Sequence, residues 1–278
     1  MLFSEVLAAG APSVGELLVA SPLPRTDTRA LLAHQLQVAR ERLIAQPDLR
    51  VAPSDVQAFA QLVQRCQRGE PLAYVLGQRE FYGRMFEVSP AVLIPRPETE
   101  LLVEVALSAG LADGAAVLDL GTGSGCVALT LALERPSWKV TATDISHDAV
   151  EVARSNAAKL GAEGVTFRKG SWFAAVSDRR FDLIVSNPPY VAAGDSHLQA
   201  LRFEPQMALV AGGNGLACLQ QIIANAARHL RPAGTLALEH SYEQGGAVRA
   251  LFVSGTWRDV RTLADFAELE RVTLARLA

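Results

Sequence analysis

Asn187-Pro188-Pro189-Tyr190 is the stretch of this chain whose residue types do chemistry most directly. Asn187 offers a side-chain carbonyl, and the proline peptides offer backbone carbonyls with no competing N–H beside them. Tyr190 adds an aromatic face. Such a set suits a planar NH₂ group, accepting both its hydrogens while a ring packs alongside. Two successive prolines fix φ twice, and Pro188 biases Asn187 away from the helical region. The preceding run, Phe181-Asp182-Leu183-Ile184-Val185, reads as a short buried strand. The elbow then stands at a strand's C-terminal end, where open α/β sheets bind ligands. Asn-Pro is also ordinary turn chemistry, so the elbow needs a partner elsewhere in the chain.

The partner lies upstream. Val117-Leu118-Asp119-Leu120 runs into Gly121-Thr122-Gly123-Ser124-Gly125 and then a predicted helix. Glycines let a backbone approach a ligand closely, and a helix N-terminus favours a carboxylate or similar anion. The dinucleotide fingerprint needs Gly or Ala at position 126. Cys126 stands there, which excludes that fingerprint. Nineteen residues after Gly125 comes Asp144, at the end of the next predicted strand. A carboxylate there accepts the hydrogens of two ribose hydroxyls. The alternative is a helix N-cap, a role that Ser146 fills better. Trp172 follows the third strand, where it either flanks a planar ring such as adenine or packs in the core.

These residues must be positioned by a sheet. From Ala115 the chain alternates between strand and helix, the pattern of an α/β fold with a parallel sheet. Strands are expected to begin near Ala115, Lys139, Val165, Phe181, Thr235, Arg258 and Arg271. Helices are expected over Ser124–Leu133, Ser146–Lys159, Gly215–Leu230 and Glu243–Phe252. No long helix separates the last two strands, so they form an antiparallel pair. Residues 98–278 are expected to be the catalytic domain. Before them, residues 76–97 hold a hairpin, Gln78–Tyr82 against Met85–Val88, and then Ile94-Pro95-Arg96-Pro97-Glu98-Thr99-Glu100. The segment reads either as a rigid linker or as a strap placing Arg96 or Glu100 over the site. Residues 1–75 read as a small helical bundle, with helices capped by Ser4, Ser13 and Asp27 and a fourth opened by Ser54.

Bulk properties narrow the classes. The chain has 278 residues, half of them hydrophobic, and a net charge of −3. Residues 1–97 carry ten arginines against nine acidic residues, the remainder sixteen basic against twenty acidic, and neither part has a basic run. This argues against a dedicated polyanion surface. Cys66, Cys126 and Cys218 show no metal-ligand spacing, so no metal is expected and a reducing cytosol fits. No signal-peptide pattern and no membrane-length apolar run is present, which places the chain in the cytoplasm.

The glycine loop together with Asn187–Tyr190 resembles the seven-stranded S-adenosylmethionine-dependent methyltransferases that act on planar nitrogen. Ile94–Glu100, Arg202-Phe203-Glu204-Pro205, Glu239-His240 and Glu270-Arg271-Val272-Thr273-Leu274 extend the resemblance over nearly the whole chain, to the bacterial peptide chain release factor glutamine N5-methyltransferases. The resemblance implies a Rossmann-like catalytic domain with its last strand antiparallel, behind a helical N-terminal domain that docks substrate. The implied reaction methylates the glutamine of a Gly-Gly-Gln motif in class I release factors and releases S-adenosyl-L-homocysteine. Cofactor binding would fall to Gly121, Thr122, Gly123, Ser124, Gly125, Asp144, Trp172 and Asn187. Substrate binding would fall to Asn187, Pro188, Pro189 and Tyr190, with Asn187, Pro188 and Tyr190 carrying catalysis. A monomer without stable nucleic-acid or membrane binding is expected. DNA adenine-N6 and RNA guanine-N2 methyltransferases share the elbow and are the alternative. The chain departs from many relatives at Phe266-Ala267-Glu268-Leu269, where those have a glycine-rich stretch.

Overall fold

Short helices punctuated by prolines occupy the first 77 residues of the computed structural model, which describes residues 3–8, 10–253 and 255–278. They are α1 (Phe3–Ala8), α2 (Val14–Ala20), α3 (Arg25–Leu36), α4 (Arg40–Ala45), α5 (Pro53–Gln67) and α6 (Leu72–Leu76). The apolar faces of these helices share one core that includes Leu17, Leu31, Leu32, Leu43, Phe59 and Val63. Ser13 caps α2 reciprocally: its hydroxyl accepts from Glu16 N, while Glu16 accepts from Ser13 N. Ser4 and Asp27 are not caps. Ser4 lies inside α1, and α3 begins two residues before Asp27, with Pro24 at its N-cap. Pro24 sets φ for a helix entry, so the chain turns there before Asp27 is reached. Pro53 likewise starts α5 one residue ahead of Ser54.

Contacts divide the chain into two units, Met1–Gly77 and Gln78–Ala278. The hairpin β1 (Gln78–Phe81) and β2 (Arg84–Glu87) belongs to the second, followed by a 3₁₀ turn at Pro97–Thr99 and helix α7 (Glu100–Leu107). After α7 come β3 (Ala116–Leu120), α8 (Cys126–Glu134), β4 (Lys139–Asp144), α9 (His147–Leu160), β5 (Thr166–Lys169) and β6 (Phe181–Ser186). Beyond the elbow lie β7 (Val191–Ala192), α10 (Gln206–Leu209), β8 (Val210–Ala211), α11 (Ala217–Ala226), β9 (Leu230–Glu239), α12 (Gly245–Leu251), β10 (Trp257–Ala264) and β11 (Glu270–Leu277).

Seven strands pair in the order β10-β11-β9-β6-β3-β4-β5. All neighbours from β9 to β5 are parallel, and β11 runs antiparallel to both β9 and β10. This is a Rossmann-like sheet with its last strand reversed, as the resemblance implies. Alternate residues serve opposite faces, as a pleated strand requires. Leu183 and Val185 join the core under α7 and α8, whereas Ile184 joins the core under α11 and α12. Each such fully buried aliphatic side chain stabilises the fold by about 1.5–3 kcal/mol. Strand order reverses between β6 and β3, which opens the crevice typical of doubly wound sheets.

The tight turn between β10 and β11 forms without glycine. Glu268 takes the left-handed conformation at φ 60°, and Asp265 Oδ1 accepts from the backbone N–H groups of Ala267 and Leu269. Phe266 at its tip is fully exposed.

Candidate active site

The C-terminal ends of β3, β4 and β6 open into a cavity of about 380 Å³, within the range that holds a cofactor-sized ligand. Residues 91–99 form one side of it as a strap. Buried Val92 and Ile94 seat the strap, Ile94 N donates to Glu204 Oε2 at 3.0 Å, and Arg96 forms an ion pair with the same carboxylate. Arg96 lines the cavity. Glu100 does not: its carboxylate accepts from Tyr82 N and anchors the hairpin.

The glycine loop forms a second wall. Gly121, Thr122, Gly123 and Ser124 line the cavity, together with Asp144 and Trp172. Gly123 sits at φ 54°, a conformation costly for side-chain-bearing residues, and a Cβ built there would meet nothing within 4 Å. Gly125 is not among the lining residues. A Cβ on it would lie 3.0 Å from Leu129 and 3.1 Å from Ala153, so its place is at the packed start of α8 rather than against a ligand. Asp144 Oδ2 accepts from Gly123 N at 2.9 Å, and Oδ1 accepts from Ser146 N at 2.9 Å. Ser146, not Asp144, caps α9. Burial raises the Asp144 pKa, and the backbone N–H groups of Ser146, Gly123 and Ile145 oppose that shift. Trp172 adopts φ 45°, places its indole N–H on Gln221 Oε1 at 3.0 Å, and packs partly against the core while lining the cavity. Beneath the loop, Asp119 is 2% exposed and accepts from the Thr122 hydroxyl at 2.7 Å. Burial pushes its pKa up to about 7, with the charge of Asp144 adding to the rise.

The elbow forms the third wall. Asn187 and Pro189 line the cavity, while Pro188 is buried and Tyr190 sits behind, against the core of α11 and β9. Asn187 Nδ2 donates to Thr99 Oγ1 at 3.1 Å. With its amide nitrogen held on Thr99, the Asn187 carbonyl oxygen is left to accept. The Tyr190 hydroxyl donates to Glu239 Oε1 at 3.4 Å, and Gln244 Nε2 donates to the Tyr190 carbonyl at 3.0 Å. Nothing in the sequence marks Thr99 or Asp119 individually, although the Ile94–Glu100 and glycine-loop motifs contain them. Among the described residues no cluster of His, Cys, Asp or Glu is arranged to hold a metal, and no helix is long and apolar enough to cross a membrane.

Residues 97–214 match the Methyltransferase small domain, and residues 14–77 match the PrmC N-terminal domain. The release factor glutamine methyltransferase of Neisseria gonorrhoeae is 48% identical over 265 residues, covering 94% of this chain and 96% of that one. That of Pseudomonas aeruginosa is 48% identical over 261 residues, covering 93% and 94%. The chain belongs to the release factor glutamine methyltransferase family. This family member shares its fold with a methyltransferase from Pyrococcus furiosus, at a TM-score of 0.54 and 21% identity, over 78% of this chain and 98% of that one. The 16S rRNA N2 G1207 methyltransferase of T. thermophilus, in complex with AdoMet and guanosine, matches at a TM-score of 0.53 and 24% identity, over 72% and 50%. Such identities speak to the fold alone.

Proposed function

We propose that this enzyme transfers the methyl group of S-adenosyl-L-methionine to the side-chain amide nitrogen of the glutamine in the Gly-Gly-Gln motif of class I release factors. Membership of the family supports the substrate class. The bond from Asn187 Nδ2 to Thr99 supports the chemistry, because it leaves an acceptor facing the cavity.

The residues present fit the cofactor. Gly123 leaves open space above the loop, Asp144 keeps lone pairs beyond its two backbone bonds, and the buried Ser124 hydroxyl has no protein partner. Gly121–Ser124, Asp144 and Trp172 would hold it, with Asn187 at the junction with substrate. When bound, it supplies an electrophilic methyl on a sulfonium. An amide nitrogen is a weak nucleophile, because its lone pair is delocalised into the carbonyl. The Asn187 oxygen and the Pro188 carbonyl accept its two hydrogens and hold the nitrogen in line, so positioning carries much of the rate. Positive charge growing on that nitrogen strengthens both bonds in the transition state. Tyr190 supports the elbow from behind, its ring against the core and its hydroxyl on Glu239, and the excess proton leaves to water.

We assign the helical unit to docking the protein substrate, since residues 1–75 hold no cofactor motif. Residues 76–97 are assigned as strap and linker, and residues 98–278 as the catalytic domain of a cytoplasmic monomer. The near-balanced charge of both parts favours a protein substrate over DNA or RNA. Mass spectrometry of a class I release factor after incubation with enzyme and S-adenosyl-L-methionine tests this. One methyl is expected on the Gly-Gly-Gln glutamine, and none when that residue is glutamate. An unmodified release factor alongside methylated adenine in DNA or guanine in RNA would overturn it.

A further inference from the structure

The strap has no regular secondary structure between Glu87, where β2 ends, and the 3₁₀ turn at Pro97. Pro95 and Pro97 carry no backbone N–H, so the strap cannot pair continuously as a strand. Side chains must place it. Val92 and Ile94 are buried, and the two polar grips beside them are the Ile94 N–H and the Arg96 guanidinium. Both end on one carboxylate, that of Glu204 in the segment between β7 and α10. Oε2 accepts from Ile94 N at 3.0 Å and Oε1 pairs with Arg96, so both oxygens are spent on the strap. The Glu204 side chain is 2% exposed; the next most buried ion-paired carboxylate among the described residues, Asp265, is 8% exposed.

We propose that Glu204 is a positioning residue for methyl transfer, whose grip on the strap holds Thr99 against Asn187 and so fixes where the elbow accepts. This deepens the functional reading above and rests on it for the identity of the reaction. Each step of the path is a bond in the structure. Beyond Arg96 the main chain turns through Pro97 and Glu98, and Thr99 N donates to the Arg96 carbonyl at 3.1 Å. Buried Thr99 then accepts from Asn187 Nδ2 at 3.1 Å. A side-chain amide can present either its NH₂ or its oxygen to a neighbour. With the NH₂ on Thr99, the oxygen is left for substrate. A loosened strap withdraws Thr99, and the amide is free to turn and present two hydrogens to a substrate that also brings two.

A carboxylate taken out of water is costly unless its charge and lone pairs are met. For Glu204 the strap alone meets them, so losing the charge loosens the strap and leaves the sheet intact. Pro205 follows directly, and Pro205, Met207 and Ala208 line the same cavity as Arg96 and Thr99. One buried side chain therefore ties together two parts of the cavity wall that lie far apart in the sequence.

Two readouts test the proposal. The first is the ¹⁵N–¹H resonances of the Asn187 side-chain amide, assigned by their loss in Asn187→Ala and recorded without substrate. They should move in Glu204→Gln and in Thr99→Val, and stay in place in Glu134→Gln, which removes the charge of a different ion pair. Arg96→Gln, which opens the same grip from its more solvated end, should reproduce the shift. The second is single-turnover methyl transfer to a release factor at saturating S-adenosyl-L-methionine. Glu204→Gln and Thr99→Val should each slow transfer about tenfold, the effect of one ordinary hydrogen bond, and Thr99→Ser should restore it. Because both act through one path, the double variant should also be about tenfold slower rather than about a hundredfold. Asn187 resonances that stay in place in both Glu204→Gln and Arg96→Gln overturn the proposal, as does a double variant slowed about a hundredfold. Resonances that move in a protein that leaves the release factor unmethylated would instead refute the functional reading while the positioning role stands.

Discussion

The glycine-loop wall and the elbow wall of the cavity are each backed by a buried carboxylate, and the two are wired differently. Asp119 lies under the loop and is bound at 2.7 Å by Thr122, three residues away. Glu239 lies under the elbow, its bond to Tyr190 stretched to 3.4 Å and its second oxygen without a partner. Asp119 closes a local turn, and the shape of that wall comes from the backbone. Glu239 reaches the Tyr190 side chain, through one long hydrogen bond. A backbone-built wall suits a ligand that must be held in one way. A side-chain wall with spare acceptors suits a step in which charge develops and a proton is handed on.

The sharpest way to break this contrast is Asn187→Ala. Removing one acceptor whose bond strengthens in the transition state costs about 10²–10³-fold in rate. Calorimetric affinity for S-adenosyl-L-methionine should change far less. Gly123→Val acts on the other wall. A branched residue at φ 54° costs about 1–2 kcal/mol and also fills open space in the cavity, so affinity should fall about tenfold or more. The smallest effect is on stability. Asp119 and Glu239 rise from ordinary values of 3.8 and 4.5 to about 7, so the folded state favours their neutral forms. Their contribution to stability is full below the unfolded values and is lost as pH rises through about 7. The melting temperature should therefore decline between about pH 4 and 7, less steeply in Asp119→Asn and in Glu239→Gln.

The same contrast explains what could be read from the sequence. The glycine wall is made from residues 119–124 and Asp144, joined by a single strand-helix-strand step, so spacing alone suggested it. Gly125 belonged to the motif but is spent on packing against Leu129 and Ala153, a distinction that spacing does not encode. The elbow was legible because two prolines announce it. Its supports were not: Thr99 lies 88 residues from Asn187, and Glu239 lies 49 from Tyr190. Only the placing of β6 beside β9, and of the strap across the site, brings them together. Strand and helix order from Ala115 onward was visible in the alternation of apolar runs, whereas α4 and α6, of six and five residues, are too short to show a helical period.

One paired measurement bears most directly on the division of labour between the walls: single-turnover methyl transfer to a release factor by Gly123→Val and by Asn187→Ala, each at saturating S-adenosyl-L-methionine. The predicted result is that Gly123→Val recovers a rate close to that of the unaltered enzyme, because its defect lies in holding the cofactor. Asn187→Ala should remain slower by about 10²-fold or more, because its defect lies in the step itself. Recovery by both variants, or by neither, would contradict the account.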